Sequence, residues 1–313
     1  MLIATLIADR GLDDTLLSDV VHEFTTDCVA GKLRSADWID QDRAADLVFE
    51  PVTAFGRGDC AKLAEAMRDR ALSIAQGGLG RRVPLDVIVQ PAAHREKRLL
   101  IADMDSTMIT VECIDELADY AGLKPQIAAV TEAAMRGELD FEAALDARVA
   151  LLEGLDAGAI DRCLAERVRL TPGAATLVRT MRARGSRCVL VSGGFTRFAE
   201  PVAAAIGFDR VVANRLEIAG DRLTGRVEKP IVDADTKVRT LGAERARLGL
   251  PAAETLAVGD GANDLGMIRA AGLGVAYRAK PVVAAAAAAR IDHGDLSALL
   301  HAQGIPPAEW VRG

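Results

Sequence analysis

The chain has 313 residues, half of them apolar and 27% charged, which suffices for one large and one small domain with separate cores. A net charge of −7 and an aromatic share of 4% argue against a nucleic-acid binder held by a broad basic surface or by stacked bases. Five scattered cysteines and four histidines give no C-x-x-C pair and no zinc-ligand spacing, so reduced thiols are expected. The opening run to Asp9 has no basic leader and ends too early for a signal peptide, and no apolar stretch reaches the length of a membrane span. The expected compartment is the cytoplasm, with no membrane and no nucleic acid as partner.

The first elements alternate in short lengths. Leu2–Ala8 reads as a strand, Thr15–Ala30 as a helix, Trp38–Val52 as one or two strands, Asp59–Gln76 as a helix and Val83–Gln90 as a strand. The order β-α-β-β-α-β predicts a ferredoxin-like α+β sandwich. Gln76-Gly-Gly-Leu-Gly80 reads as a turn, since it lacks the strand and helix that a nucleotide fingerprint needs. The polar, Pro-containing stretch Gln90–Lys97 is the expected domain boundary.

Beyond it the rhythm changes. Arg98–Ala102 is a short apolar strand running into Asp103-Met-Asp105-Ser-Thr107. Carboxylates at i and i+2 share a side where strand geometry persists, and together suit a hard cation or a nucleophile–acid pair. From Val111 to about Leu170 the pattern is helical, with Gly122, Gly137 and Gly154 as breaks. Cys188–Val191 is a buried strand ending in Ser192-Gly193-Gly194, where a hydroxyl and free backbone N–H groups can cradle a phosphate. Val211–Ala213 follows, then Asp233-Ala-Asp-Thr-Lys237, in which nothing local singles out the lysine. Thr255–Val258 leads into Gly259-Asp260-Gly261-Ala-Asn263-Asp264, whose three oxygen-bearing side chains within five residues suit Mg²⁺ with a supporting shell. Leu273–Ala276 is a last strand, and the alanine-rich tract Val282–Arg290 reads as helix. Strands alternating with helices predict an α/β fold with a doubly wound parallel sheet, its site beyond the strands' carboxyl ends.

The ordered series DMDST, SGGF, Lys237 and GDGAND resembles the four-motif pattern of the haloacid dehalogenase superfamily, and from Leu99 to about Leu300 it is similar to the phosphoserine phosphatase family within it. That resemblance implies a Rossmann-like core with a helical cap inserted after the first motif. It also implies a Mg²⁺-dependent phosphoric monoester hydrolase acting in serine biosynthesis through an aspartyl-phosphate. Asp103 would be the nucleophile and Asp105 the acid, then the base. Ser192, Gly193 and Lys237 would hold phosphoryl oxygens. Asp103, Asp260 and the Asp105 carbonyl would ligate the metal, while Asn263 and Asp264 complete the site. A carboxylate attacking a dianion needs its charge neutralised first, and a leaving serine oxygen needs Asp105 protonated.

The cap carries the substrate reading. Val-Glu112-Cys-Ile-Asp-Glu and the stretch from Gly137 through Phe141 to Arg148 resemble that family's cap. By that match Glu112 binds the ammonium of phosphoserine, Arg148 its carboxylate, and Phe141 packs over it. A phosphatase for a related ester such as phosphothreonine, or a regulatory protein that kept only the fold, are the alternatives. The expected divisions are 1–92 for the N-terminal domain, 97–110 with 172–300 for the core, 111–171 for the cap and 301–313 for a C-terminal tail. The N-terminal pattern resembles ACT-like regulatory domains, which implies a ligand loop near Gly11 and a homodimer formed through this domain.

Overall fold

The computed structural model describes residues 1–26, 31–51, 56–77, 80, 82–135 and 138–312. Cys28, Gly137 and the middle of the Gln76–Gly80 turn lie outside the described residues.

The N-terminal unit runs β1 (Leu2–Ala8), α1 (Asp14–Thr26), β2 (Lys32–Asp40), β3 (Ala44–Glu50), α2 (Arg57–Gly77) and β4 (Leu85–Pro91). Its antiparallel sheet has the order β2-β3-β1-β4, a ferredoxin-like arrangement. All seven residues of β1 are buried, because the sheet is covered on both faces. Leu2, Ala4 and Leu6 pack with α1 and α2, while Ile7 joins Ala44 and Ile88 in the core of the second unit. β2 begins at Lys32, earlier than expected from Trp38. It is an edge strand with a largely polar sequence and no fully buried residue, so it carries no apolar alternation. Gly11 takes φ +86, and a Cβ there would stand 3.3 Å from Val83, so backbone geometry alone calls for glycine in this loop.

The second unit continues with β5 (Leu99–Ala102), α3 (Cys113–Tyr120), α4 (Lys124–Met135), α5 (Phe141–Ala150), α6 (Gly158–Arg167), α7 (Ala174–Ala183), β6 (Arg187–Phe195), α8 (Thr196–Ile206) and β7 (Arg210–Asn214). After these come β8 (Leu216–Ala219), β9 (Arg222–Val227), α9 (Ala234–Leu248), β10 (Thr255–Gly259), α10 (Leu265–Ala270), β11 (Leu273–Tyr277), α11 (Pro281–Ala286), β12 (Ala289–Ile291) and α12 (Ala298–Ala302). The parallel sheet has the order β12-β11-β10-β5-β6-β7. From β5 the chain winds first toward β6, then returns to β10, which places the switch point beside β5. Thus β5, β6 and β10, the three strands carrying the expected motifs, are neighbours.

Helices α3 to α6 form the cap, broken at Gly122 and Gly154, both left-handed. A hairpin that the apolar pattern does not announce, β8–β9, props this cap. Gly154 N–H donates to Leu223 O at 2.8 Å, and Leu223 N–H to Leu155 O at 2.9 Å. The alanine tract is helical only to Ala286. Ala289 and Ile291 pair with Val275 and Tyr277 as β12, so sheet pairing overrides alanine's helix propensity. Residues 301–313 are no separate tail. His301, Ala302 and Gln303 are buried, and Trp310 packs on the core.

The boundary itself is firmly bonded. Arg95 grips Asp46 of β3 through two contacts of 2.6 Å, reaches Thr5 of β1 at 3.0 Å, and donates to the carbonyls of His301 and Ala302. Gln90 also donates to Ala302 O, at 2.7 Å. Asp86 of β4, fully buried, accepts from the backbone N–H groups of Asp292, His293 and Gly294. Gln90, Arg95 and Lys97 therefore serve the end of α12 and the two sheets, while His94 and Glu96 stay exposed.

Candidate active site

β5 ends at Ala102, and Asp103 stands at its carboxyl end, 5% exposed. Its Oδ1 accepts from Lys237 Nζ, and the same ammonium donates to Asp264 Oδ1 at 2.6 Å. Lys237 lies on the first turn of α9, one turn past Asp233, which caps that helix by accepting from Thr236 N–H. Lys237 is 1% exposed. Burial disfavours its charge, but Asp103 and Asp264 more than offset this and raise its pKa.

Asp264 is wholly engaged. Besides Lys237, it accepts from the backbone N–H groups of Gly261 and Asp260 at 3.0 and 3.2 Å. A Cβ on Gly259 would stand 2.4 Å from this carboxylate, so glycine is required for the approach. Asp260 accepts from Thr107 Oγ1 at 3.0 Å through one oxygen. Carboxylate oxygens of Asp103, Asp260 and Asp264 all lie within 4.8 Å of one another. Burial and the charge of Asp264 hold Asp103 well above the usual carboxylate range, and the same two causes raise Asp260 to about 6. One lysine does not neutralise this group. Its donor set, oxygens alone, suits a hard divalent cation. Asp264, spent on three donors, supports the loop, which leaves Asp103 and Asp260 as the carboxylates with a free oxygen.

Met104 between the two motif carboxylates is fully buried, and its carbonyl accepts from the N–H groups of Met108 and Ile109. Asp105 is outside the three-carboxylate group but lines the same cavity as Asp103 and Asp260. Its Oδ1 accepts from the first N–H of α3, that of Cys113, at 2.9 Å, and its Oδ2 lies 3.4 Å from Ser192 Oγ. Burial, then the neighbouring charge of Glu112, raises its pKa to about 6. Ser192, fully buried, also accepts from Gly194 N–H at 2.8 Å, which closes the loop at the end of β6.

The cap comes down onto this loop. Asp140 caps α5 by accepting from Ala143 N–H, which makes Phe141 the first helical residue. Arg148, seven residues on, lies on the same helix face. A Cβ on Gly193 would meet Phe141 Cζ at 3.2 Å, so the phenyl ring rests directly on the Ser192–Gly194 loop. Arg148 is half-buried, its Nε donating to Ala144 O, and it faces the carboxylates of Asp115 and Glu112. Glu112 is exposed and accepts from Ser106 Oγ at 2.7 Å. Asp103, Asp105, Glu112, Phe141, Arg148, Gly193, Asp260 and Asn263 line one cavity of about 680 Å³.

Three contributors escape the sequence reading. Thr107 sits within the first motif but shows its task only through Asp260. Asn214, at the end of β7, fixes the Ser192–Gly194 loop. Its Nδ2 donates to Gly193 O at 2.8 Å and its Oδ1 accepts from Val232 N–H at 2.6 Å. A single asparagine ending a strand gives no sequence signal. Lys280 lines the same cavity beside Gly261 and Asn263.

Residues 100–269 match the model of the haloacid dehalogenase-like hydrolases. A phosphoserine phosphatase of Streptomyces coelicolor is 43% identical over 303 residues, spanning 96% of this chain and 73% of its own length. Among solved structures, a HAD family hydrolase of Salmonella enterica serovar Typhi superposes with a TM-score of 0.79 at 29% identity, over 96% of this chain and 97% of its own. A phosphoserine phosphatase solved as a phospho-aspartyl intermediate analogue superposes with a TM-score of 0.61 at 36% identity, over 66% of this chain and 98% of its own. The order of the motif strands, the lysine-bridged carboxylates and these likenesses agree, and the chain belongs to the phosphoserine phosphatase family of the haloacid dehalogenase-like hydrolases.

Proposed function

We propose that the chain hydrolyses O-phosphoserine to serine and inorganic phosphate through an aspartyl-phosphate on Asp103, with Mg²⁺ as cofactor, in the cytoplasm. The observation that carries this reading is the pairing of two carboxylates with opposed surroundings. Asp103 lies against Lys237, while Asp105 is lifted to about 6 by burial and Glu112.

An Asp103 carboxylate oxygen attacks phosphorus and the bond from phosphorus to the serine oxygen breaks. Asp105 gives its proton to that leaving oxygen. Asp105, now a carboxylate, takes a proton from water, whose oxygen attacks the aspartyl-phosphate and releases phosphate and free Asp103. Lys237, Ser192 and the Gly193 N–H hold the phosphoryl oxygens through both steps. Asp103 and Asp260, with the Asp105 carbonyl, would hold Mg²⁺, which when bound supplies the positive charge this site lacks. At the other end of the cavity Glu112 takes the substrate ammonium and Arg148 its carboxylate, with Phe141 above.

Four buried free cysteines, Cys60, Cys113, Cys163 and Cys188, suit a reducing compartment. No helix among the described residues is long and apolar enough to cross a membrane. Phosphate release from phosphoserine, with Mg²⁺ and then in excess EDTA, tests the reading. Turnover is expected only with the metal and returns on adding it back. Undiminished hydrolysis in EDTA rules out the metal-dependent route.

A further inference from the structure

The cavity above Asp103 is lined by six carboxylates, those of Asp103, Asp105, Glu112, Asp115, Asp140 and Asp260. Among the described residues only two cations line it, Arg148 and Lys280. Lys237, below the floor, is already engaged by Asp103 and Asp264. A phosphate monoester bearing two negative charges must approach through this field, which slows its capture unless a cation stands near the mouth.

Arg148 is on the cap, at the amino-acid end. Lys280 is on the core side and exposed, next to Asn263 and Asp260 at the phosphate end. Its backbone is fixed there. The Lys280 N–H donates to Asp260 O at 3.4 Å, its φ and ψ are −59 and 148, and Pro281 after it starts α11. Its ammonium makes no ion pair or hydrogen bond with any described residue. An exposed lysine is ordinarily a solvated surface charge. Here a cation without a partner is held at the rim of a strongly anionic cavity, beside the loop that carries Asp260.

We infer that Lys280 captures the phosphate group of the incoming substrate and steers it to Asp103. The inference rests on the phosphatase reading but not on serine as the leaving group. It is read by kcat/KM for phosphoserine and for p-nitrophenyl phosphate, across ionic strength, with Mg²⁺ present, in wild type, Lys280→Gln and Lys280→Arg. Lys280→Gln is expected to lose about tenfold in kcat/KM on both substrates at low salt, shrinking to under about twofold near 0.5 M salt. The loss falls on KM rather than kcat, and Lys280→Arg restores the rate to within about twofold. Inorganic phosphate should bind the Mg²⁺-loaded Lys280→Gln protein correspondingly more weakly by calorimetry, a readout that needs no turnover. A loss indifferent to salt, one carried by kcat, or one that arginine does not rescue overturns the inference. So does a loss confined to phosphoserine, which would place Lys280 at the amino-acid end. Wild-type cleavage of p-nitrophenyl phosphate without cleavage of phosphoserine would instead refute the substrate reading and leave the Lys280 comparison intact.

Discussion

Two buried clusters of charge in this molecule are built to different ends. Around Asp103, four aspartates (Asp103, Asp105, Asp260 and Asp264) share one lysine, and burial raises three of them above the usual carboxylate range. At the junction of the two units, Arg95 meets Asp46 through both of its terminal nitrogens, and Asp86 is held by three backbone N–H groups. The first cluster is short of positive charge, as the proposed cation and substrate require. The second has a donor for each buried carboxylate within the fold, although burial still raises Asp86, and accommodates nothing further. Uncompensated burial marks chemistry here, and compensated burial marks attachment.

The sharpest way to break this comparison is Asp103→Asn. The amide keeps the shape of the carboxylate but cannot attack phosphorus, so turnover should fall by more than about a thousandfold with the fold retained. Steady-state phosphate release checks the rate and circular dichroism checks the fold. Activity within about tenfold of wild type would refute Asp103 as nucleophile. Next in size is Arg148→Ala. Losing a charge-assisted contact in a half-buried site should cost about 10- to 100-fold in kcat/KM for phosphoserine, and far less for an aryl phosphate that lacks a carboxylate. Equal losses on both substrates would make Arg148 structural rather than specific.

The active cluster was legible because each contributor ends an apolar strand. Asp103, Ser192 and Asp260 each follow a buried run, and a polar break in such a run stands out. Lys237 was found only through resemblance, since its burial between two carboxylates depends on α9 packing onto the sheet. The junction's place was legible as a boundary, but its bonding was not. Gln90, Arg95 and Lys97 look like solvated linker residues, and their true partners, Ala302, Asp46 and the Gln303 side chain, lie far away along the chain. β12 was hidden too, because an alanine tract favours helix until a neighbouring strand edge claims it. Long-range pairing, which leaves no local pattern, accounts for these misses.

The junction cluster is tested through stability rather than rate. Asp86→Ala leaves up to three backbone N–H groups without their acceptor at a buried site, which should cost about 2–4 kcal/mol. For a chain of this size that corresponds to a fall of roughly 4–10 °C in the midpoint of the transition involving the N-terminal unit. Phosphatase turnover at 25 °C should change little. Asp86→Asn, which keeps one acceptor oxygen, should lie between the two. A large loss of kcat without loss of stability would show that Asp86 reaches the chemistry, against the division drawn above.

The smallest expected effect comes from the largest change. A chain shortened to begin at Arg95 loses every residue of the N-terminal sheet, including Asp46 and Asp86. None of the residues lining the cavity above Asp103 lies before Asp103 itself. The phospho-aspartyl analogue structure matches 66% of this chain yet accounts for 98% of its own length, so a relative close to the size of the core alone folds and carries the site. The parallel sheet and the cap have their own buried core, to which, among the described residues, the N-terminal unit supplies only the buried Ile7, Ala44 and Ile88 and the partly buried Ile39. The shortened chain should therefore keep kcat/KM for phosphoserine within about threefold, while melting earlier because Arg95 loses Asp46 and Thr5 and the Ala302 carbonyl loses Gln90. A folded, Mg²⁺-binding shortened chain with no turnover would mean that the N-terminal unit helps to build the active site. The compensated junction would then belong to the chemistry after all.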